Sequence, residues 1–388
     1  MLDPFGPAPG WLHDLVHPWA LYFNLPAASE HIHEILFSFI GYQLIHFVIS
    51  PWLSPRLFPR HYQGLNRRTK LNWDVHVVSL VQSTTINAAA LWVMFTDAER
   101  KDMSIGERVH GYTGSCGLIS ALATGYFIYD LIISTIYIRI FGVGMLFHAI
   151  SALWVFSFGF RPFVNFYSPV FILYELSSPF LNIHWFCDKV GMTGSKLQWY
   201  NGMMLLFVFF SCRLVWGTWQ SALVYRDMWY ALKQTWSGTA ALDPATVSTQ
   251  IFQLRDGAMC LDEACVRAGA EVSRFKAFTA DGVPTWLVGT YVVSNLVLNG
   301  LNYYWFSKMV ETVLKRFRTP AGSSDEKNKK KSVDGGSVED LAQKVVLDAA
   351  KKLEEEEGAL FHGDEVATVV DTVAEDLRKR KSTRATSS

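Results

Sequence analysis

Seven stretches of roughly 20 predominantly apolar residues recur between residues 32 and 310, and nothing else constrains this chain as strongly. They cover approximately 32–53, 75–95, 115–137, 141–160, 163–181, 200–224 and 285–310. A helix of that length, rising about 1.5 Å per residue, crosses a hydrocarbon layer of about 30 Å. The 388 residues are half apolar and include 27 Phe, 15 Tyr and 14 Trp. These side chains fall in long runs rather than in amphipathic stripes. The pattern predicts an all-α, multi-pass integral membrane protein of about seven spans, with membrane lipids and no nucleic acid as partners.

Charge divides the chain unevenly although its formal net charge is zero. Residues 1–31 form an N-terminal segment with Asp3, Asp14 and Glu30. Residues 32–65 hold the first span and a connection, continuing to Lys70, that carries Arg56, Arg60, Arg67, Arg68 and Lys70 with no acid. The positive-inside bias places that connection in the cytosol, the N-terminus in the lumen and, after seven spans, the C-terminus in the cytosol. Lys315-Arg316-Phe317-Arg318 at the start of the tail agrees. Residues 66–315 make the main membrane domain, with 226–283 as a long inserted connection whose Leu261–Ala277 portion reads as one or two short amphipathic helices. The stretch 163–181 contains Asn165, Pro169 and Glu175, so a kinked backbone is expected there, after a tight hairpin at Arg161-Pro162. Residues 316–388 read as a flexible charged tail. It includes a helix or a disordered segment over Val338–Glu357 and a basic run at Arg378–Lys381 suited to anionic headgroups or to a solvated end.

The start lacks the basic and apolar regions of a cleaved signal peptide, and the sequence has no glycosylation sequon. Five scattered Cys form neither a disulfide framework nor a zinc pattern, and Cys260 with Cys265 is a disulfide only in an oxidising lumen. No metal site is expected.

Four ionisable residues interrupt or flank the apolar runs: Asp130, His148, Glu175 and Arg213. Each costs about 2.5–3.5 kcal/mol near a bilayer centre on insertion scales, so an inward-facing polar pocket is the default reading. Tyr126 and Asp130 are four residues apart and share a helix face. His148 is either a hydrogen-bonded structural histidine or a base. Glu175 is followed by Ser177 and Ser178, small polar residues suited to close helix contact, and by Pro179, which ends or bends the helix. Arg213 is a counter-ion for Glu175 or Asp130, or it snorkels to an interface. Asn295, Asn299 and Asn302 form one amide face that interhelical hydrogen bonds alone could explain. Asn72-Trp73-Asp74-Val75-His76 reads more simply as a helix end with Trp73 at headgroup depth.

The basic segment leading into Trp73-Asp74 and Val77-Val78-Ser79, the run Gly125–Leu131, the His148 segment and Glu175–Asn182 together resemble the TLC-domain family. That family includes ceramide synthases and translocation-associated membrane proteins. Glu175–Asn182, followed by Trp185-Phe186 and later Arg213, is the most specific part, and the likeness extends from Asn66 to about Lys315. It is nearest the uncharacterised lipid-homeostasis branch related to ceramide synthases. Membership implies six helices in a barrel around a central lipid-accommodating cavity, here with one additional N-terminal span, and residence in the endoplasmic reticulum.

Ceramide synthases carry a His-His pair and a His-Asp pair; this chain has Phe147-His148 and Tyr167-Ser168 at those places. Synthase-type N-acyl transfer is thereby put in doubt. The first expectation is a lipid-homeostasis protein binding an acyl chain, a sphingoid base or a phospholipid. Asp130, His148 and Glu175 would set its polar end, and Tyr126, Asn182, Trp185, Arg213, Asn295 and Asn299 would line the lipid site. The alternatives are an acyltransferase in sphingolipid metabolism, with His148 as general base and acyl-CoA as substrate, or a structural or chaperone-like membrane protein. No cofactor is expected, and the tail is the candidate surface for self-association or a protein partner.

Overall fold

The computed structural model describes residues 1–237, 254–255, 258–259, 263–279 and 281–318. The expected tail over 319–388, with its helix and its basic run, and the Cys260–Cys265 pairing lie outside the described residues. Helix α1 spans Gly10–Tyr22, α2 Ile32–Leu57, α3 Arg67–Thr96, α4 Gly114–Ile136 and α5 Ile138–Ser157. Then follow α6 Ser178–Lys189, α7 Lys196–Trp236, α8 Glu263–Val272 and α9 Thr285–Arg318. One antiparallel pair of two-residue strands, Leu254–Arg255 with Ala258–Met259, is the strand structure among the described residues.

Among the described residues, five helical segments, containing α2, α3, α4, α5 and α7, are long and apolar enough to cross a membrane. They contain five of the seven predicted spans. The predicted stretch at 285–310 lies in α9, whose 34 residues are long enough but whose three Asn dilute its apolar character. The stretch at 163–181 is not one helix. It is 3₁₀ over Asn165–Tyr167, α over Ser168–Phe171, 3₁₀ over Ile172–Ser177 and then α6. Pro169 and Pro179 each stand in the first turn of an α piece, where a missing N–H breaks no intrahelical bond. Pro179 therefore opens a helix rather than ending one.

Capping residues set helix starts that hydropathy cannot see. Asn66 Oδ1 accepts the Thr69 N–H at 2.8 Å, so α3 begins eight residues before its apolar run at residue 75. Trp73 and Asp74 consequently lie within the helix and not at its end. Trp73 is 1% exposed and packed edge-on against Tyr62 and Trp185, so its ring faces the protein interior. Helix α7 continues to Trp236, beyond the predicted 224, so the long connection begins after 236. Within that connection α8 and a 3₁₀ turn at Lys276–Thr279 occupy the portion read as amphipathic.

Helix α4 is the centre of the bundle, with most of its residues buried. Its Gly, Ala, Ser and Thr positions let neighbours approach from several sides. At Gly125 a Cβ would lie 2.6 Å from the Ile35 carbonyl oxygen, so α2 packs backbone to backbone there. Ser38 Oγ donates to the Leu122 carbonyl at 2.8 Å across the same contact. Gly142, at φ 75°, supplies the turn that separates the start of α5 from its apolar run.

Large apolar side chains point outward along the helices: Phe37 and Phe47 on α2, Phe147 and Trp154 on α5, Phe207 and Trp219 on α7. Polar side chains collect inside. This inversion of the soluble pattern is what a lipid solvent selects. The connections sort to two ends of the bundle. At one end Arg274 pairs with Glu30 at 2.9 Å, Arg108 with Asp227 at 2.6 Å, and Glu271 Oε1 accepts the Gly114 N–H at 3.1 Å. At the other, Tyr62 donates to Asp74 at 3.2 Å and Trp73 meets Trp185.

Candidate functional site

Arg213 lies on a π-helical turn, Phe210–Trp216, that re-aims its side chain into the bundle. Its guanidinium makes four hydrogen bonds there. Nε donates to the Tyr174 carbonyl at 2.9 Å and to Ser177 Oγ at 3.0 Å, Nη1 to Asn302 Oδ1 at 3.2 Å, and Nη2 to Ser178 Oγ at 3.2 Å. Ser178 Oγ in turn donates to Glu175 Oε2 at 2.7 Å. Arg213 is 7% exposed, so it does not snorkel to an interface. The expected counter-ion contact to Glu175 is corrected in one respect: it runs through the Ser178 hydroxyl. The 3₁₀ segment Ile172–Ser177 turns Glu175 and Ser177 into the same interior space and places Ser178 one residue on.

Asp130 enters from α4 and is 5% exposed. Its Oδ1 has a long hydrogen bond from Ser134 at 3.5 Å, and its Oδ2 has no partner among the described residues. It lies within electrostatic reach of Glu175, and Tyr126 lies within reach of both acids. His148 comes from α5 and is only partly buried. Its ring meets Phe127 and Trp305, each at 6.2 Å between centroids, and it feels the charges of Glu175 and Arg213. Tyr126, Asp130, His148, Glu175 and Arg213 therefore converge from α4, α5, the 3₁₀ segment and α7. No hydrogen bond orients His148 among the described residues.

The remaining predicted residues extend this group in two directions. Toward α3, Asn182 lies 2.7 Å from His76 Nδ1 through Oδ1, while its Nδ2 donates to Ser79 Oγ at 3.0 Å and to the Ser178 carbonyl at 2.9 Å. The Trp185 ring stacks on His76 at 4.2 Å. Toward α9, Tyr174 donates to Asn299 at 2.9 Å and Tyr225 to Asn295 at 2.6 Å, and Asn299 donates to Ser221 at 2.9 Å. Asn295, Asn299, Tyr174, Arg213, Ser178, Asn182 and His76 are thus joined in one polar seam through the interior. Trp185 borders it through His76.

Several interior polar groups had no part in the sequence-based site. Gln82 is fully buried with neither amide atom partnered among the described residues, and Asn87 Oδ1 and Thr124 Oγ1 are likewise unpartnered. His46 Nδ1 lies 2.7 Å from the Tyr129 hydroxyl. Gln82, Ser83, Thr84, Thr85 and Asn87 stand together in the second apolar run, and that was the available signal. His76 was read as part of a helix end because the true start of α3 was hidden. A cavity of only about 10 Å³, room for a single water, lies between Phe156, Phe163, Tyr167, Ser168, Phe171 and Tyr291. Ligand pockets run to roughly 300–1,000 Å³, so a lipid enters only if the helices around it move apart.

The TLC domain family model matches residues 72–311. An uncharacterised TLC domain-containing protein of Schizosaccharomyces pombe is 33% identical over 316 residues, covering 81% of this chain and 89% of its own. The Saccharomyces cerevisiae protein named Topoisomerase I damage affected protein 4 is 30% identical over 302 residues, covering 76% and 88%. Human TLC domain-containing protein 4 is 29% identical over 180 residues, covering 46% and 66%. No solved structure matches the chain significantly. The matched residues run from the helix that carries His76 to the one that carries Asn295, Asn299 and Asn302, and the chain belongs to the TLC domain family of membrane proteins.

Proposed function

We propose that this protein serves lipid homeostasis by holding one lipid between its helices, with the acyl chain against aromatic walls and the polar end at Asp130, Glu175 and Arg213. The observation that carries this reading is Asp130. It is a buried carboxyl near a second acid; among the described residues one of its oxygens has no partner and no cation is bonded to it. An unsatisfied ionisable group inside a membrane bundle is costly, and a hydroxyl or amine of a bound lipid would satisfy it. Gln82 and Thr124 offer further unpartnered polar atoms for a headgroup. In this reading the basic 55–70 loop faces the cytosol and the N-terminus the lumen of the endoplasmic reticulum; that the two lie at opposite ends of the bundle is what such a topology requires.

Native mass spectrometry of the detergent-purified protein tests the proposal. Wild type is expected to carry about one lipid per chain, and Asp130→Leu, which fills the site with an apolar side chain, to carry none. A wild type free of lipid, or an Asp130→Leu protein that retains the same lipid, overturns the reading. Cellular lipid profiles of His148→Ala separate binding from acyl transfer. A binding protein leaves every product class in place, whereas an acyltransferase using His148 as base loses the product that a full deletion loses.

A further inference from the structure

Away from the seam, at the end of the bundle where Glu30, Arg274 and Asp97 gather, Asp3, His33 and Glu34 bring one donor atom each to within 4.8 Å of one another. Asp3 belongs to the N-terminal segment, and His33 and Glu34 to the first turn of α2. The protein engages both oxygens of Asp3 but leaves one oxygen of Glu34 without a hydrogen bond among the described residues. Asp3 Oδ1 accepts the Phe5 N–H at 2.9 Å, and Glu34 Oε2 lies 2.7 Å from His31 Nδ1. Glu34 Oε1 and both ring nitrogens of His33 are buried without a hydrogen-bond partner among the described residues. The Glu34 side chain is 3% exposed, so its unpartnered oxygen cannot be satisfied by bulk solvent.

Two features distinguish this cluster from a chance meeting of acids. The donor set is one imidazole and two carboxylates, whose charges neutralise a divalent cation. Imidazole selects zinc and similar transition ions over calcium or magnesium. His31 stands behind both acids, with Nδ1 on Glu34 and 3.6 Å from Asp3 Oδ2, while its Nε2 bonds the Tyr112 hydroxyl. Such a ring, held from its far side, orients metal-binding carboxylates.

We propose that Asp3, His33 and Glu34 bind one divalent transition-metal ion, with zinc as the natural probe, and that the ion fastens the N-terminal segment to α2. Tetrahedral bonds of about 2.0–2.2 Å set donors about 3.4 Å apart, so the three side chains must draw inward from their 4.8 Å limit when the ion binds. Three protein ligands leave a fourth tetrahedral position for water. The site departs from the expectation of no metal, because its ligands are separated by some 30 residues in no recognisable spacing.

The test uses the full chain purified in detergent without a polyhistidine tag, stripped with chelator and dialysed against zinc chloride. Metal analysis is expected to find one zinc per wild-type chain, and none in excess of background in His33→Ala or Asp3→Asn. His13→Ala, which removes a histidine of α1 outside the cluster, retains it. Asp3 lies in the N-terminal segment outside the helices, so Asp3→Asn keeps the test valid even if His33→Ala fails to fold. Zinc is also expected to raise the melting temperature of wild type but not of Asp3→Asn. A wild type that binds no zinc, or an Asp3→Asn protein that binds it like wild type, overturns the assignment.

Discussion

Arg213 and Glu175 share the hydroxyl of Ser178: the guanidinium donates to its oxygen at 3.2 Å, and its proton goes to the carboxylate at 2.7 Å. The charge pair that the sequence implied is therefore built through a neutral residue. Both charges keep further partners or free valences, which suits a site that must accept another polar group.

Ser178→Ala breaks this relay without adding bulk. It leaves one guanidinium N–H and one carboxylate oxygen short of a partner, and a loss of about 1–3 kcal/mol of stability is expected. Arg213→Lys should lose more, since an ammonium cannot reproduce four bonds directed from three nitrogens. Thermal unfolding in detergent ranks the two. An Arg213→Lys protein as stable as wild type would show that the π-turn arginine is not integral to the bundle.

The contact between α2 and α4 depends on Gly125. A Val side chain there would collide with the Ile35 carbonyl and the Ser38 side chain, both under 3 Å from any Cβ. Gly125→Val is expected to destabilise the protein by about 1–3 kcal/mol, as overpacking does. It should also abolish disulfide cross-linking between cysteines introduced at Ser38 and Leu122. Efficient cross-linking in the Val variant would mean that α2 is held elsewhere.

Asp97 ties the N-terminal segment to the turn before α4. Its carboxylate is fully buried and accepts from the Met1 nitrogen at 2.8 Å, the Arg100 N–H at 3.1 Å, Thr113 Oγ1 at 3.0 Å and Ser115 Oγ. Burial acts to raise its pKa, but the Met1 ammonium and the hydroxyl donors outweigh it and hold the group below its ordinary 3.8. A lowered carboxyl stabilises the fold above that ordinary value, and the contribution is lost as pH falls through the lowered one. Melting temperature should fall on acidification below about pH 4 more steeply in wild type than in Asp97→Asn. At neutral pH the Asn variant should already be less stable by about 1.5–3 kcal/mol. Parallel acid profiles for the two proteins would rule out this role.

The apolar runs were sufficient to establish helices, their approximate number and the membrane class, because chain length and hydropathy act locally on each segment. The four charges in or beside those runs pointed to the interior for an equally local reason: a lone ionisable group facing lipid is too costly to keep. Helix starts were less legible. Asn66 begins α3 inside a basic stretch, and that capping bond placed Trp73, Asp74 and His76 within a helix where the sequence read as a helix end. Which polar residues meet was decided only by the tertiary packing. The 3₁₀ segment before Pro179 and the π turn around Arg213 rotate their side chains by amounts that an ideal helical period does not supply. The same holds for Asp3 with His33 and Glu34, which come together because the N-terminal segment folds back onto α2, a contact between chain-distant groups that no local pattern encodes.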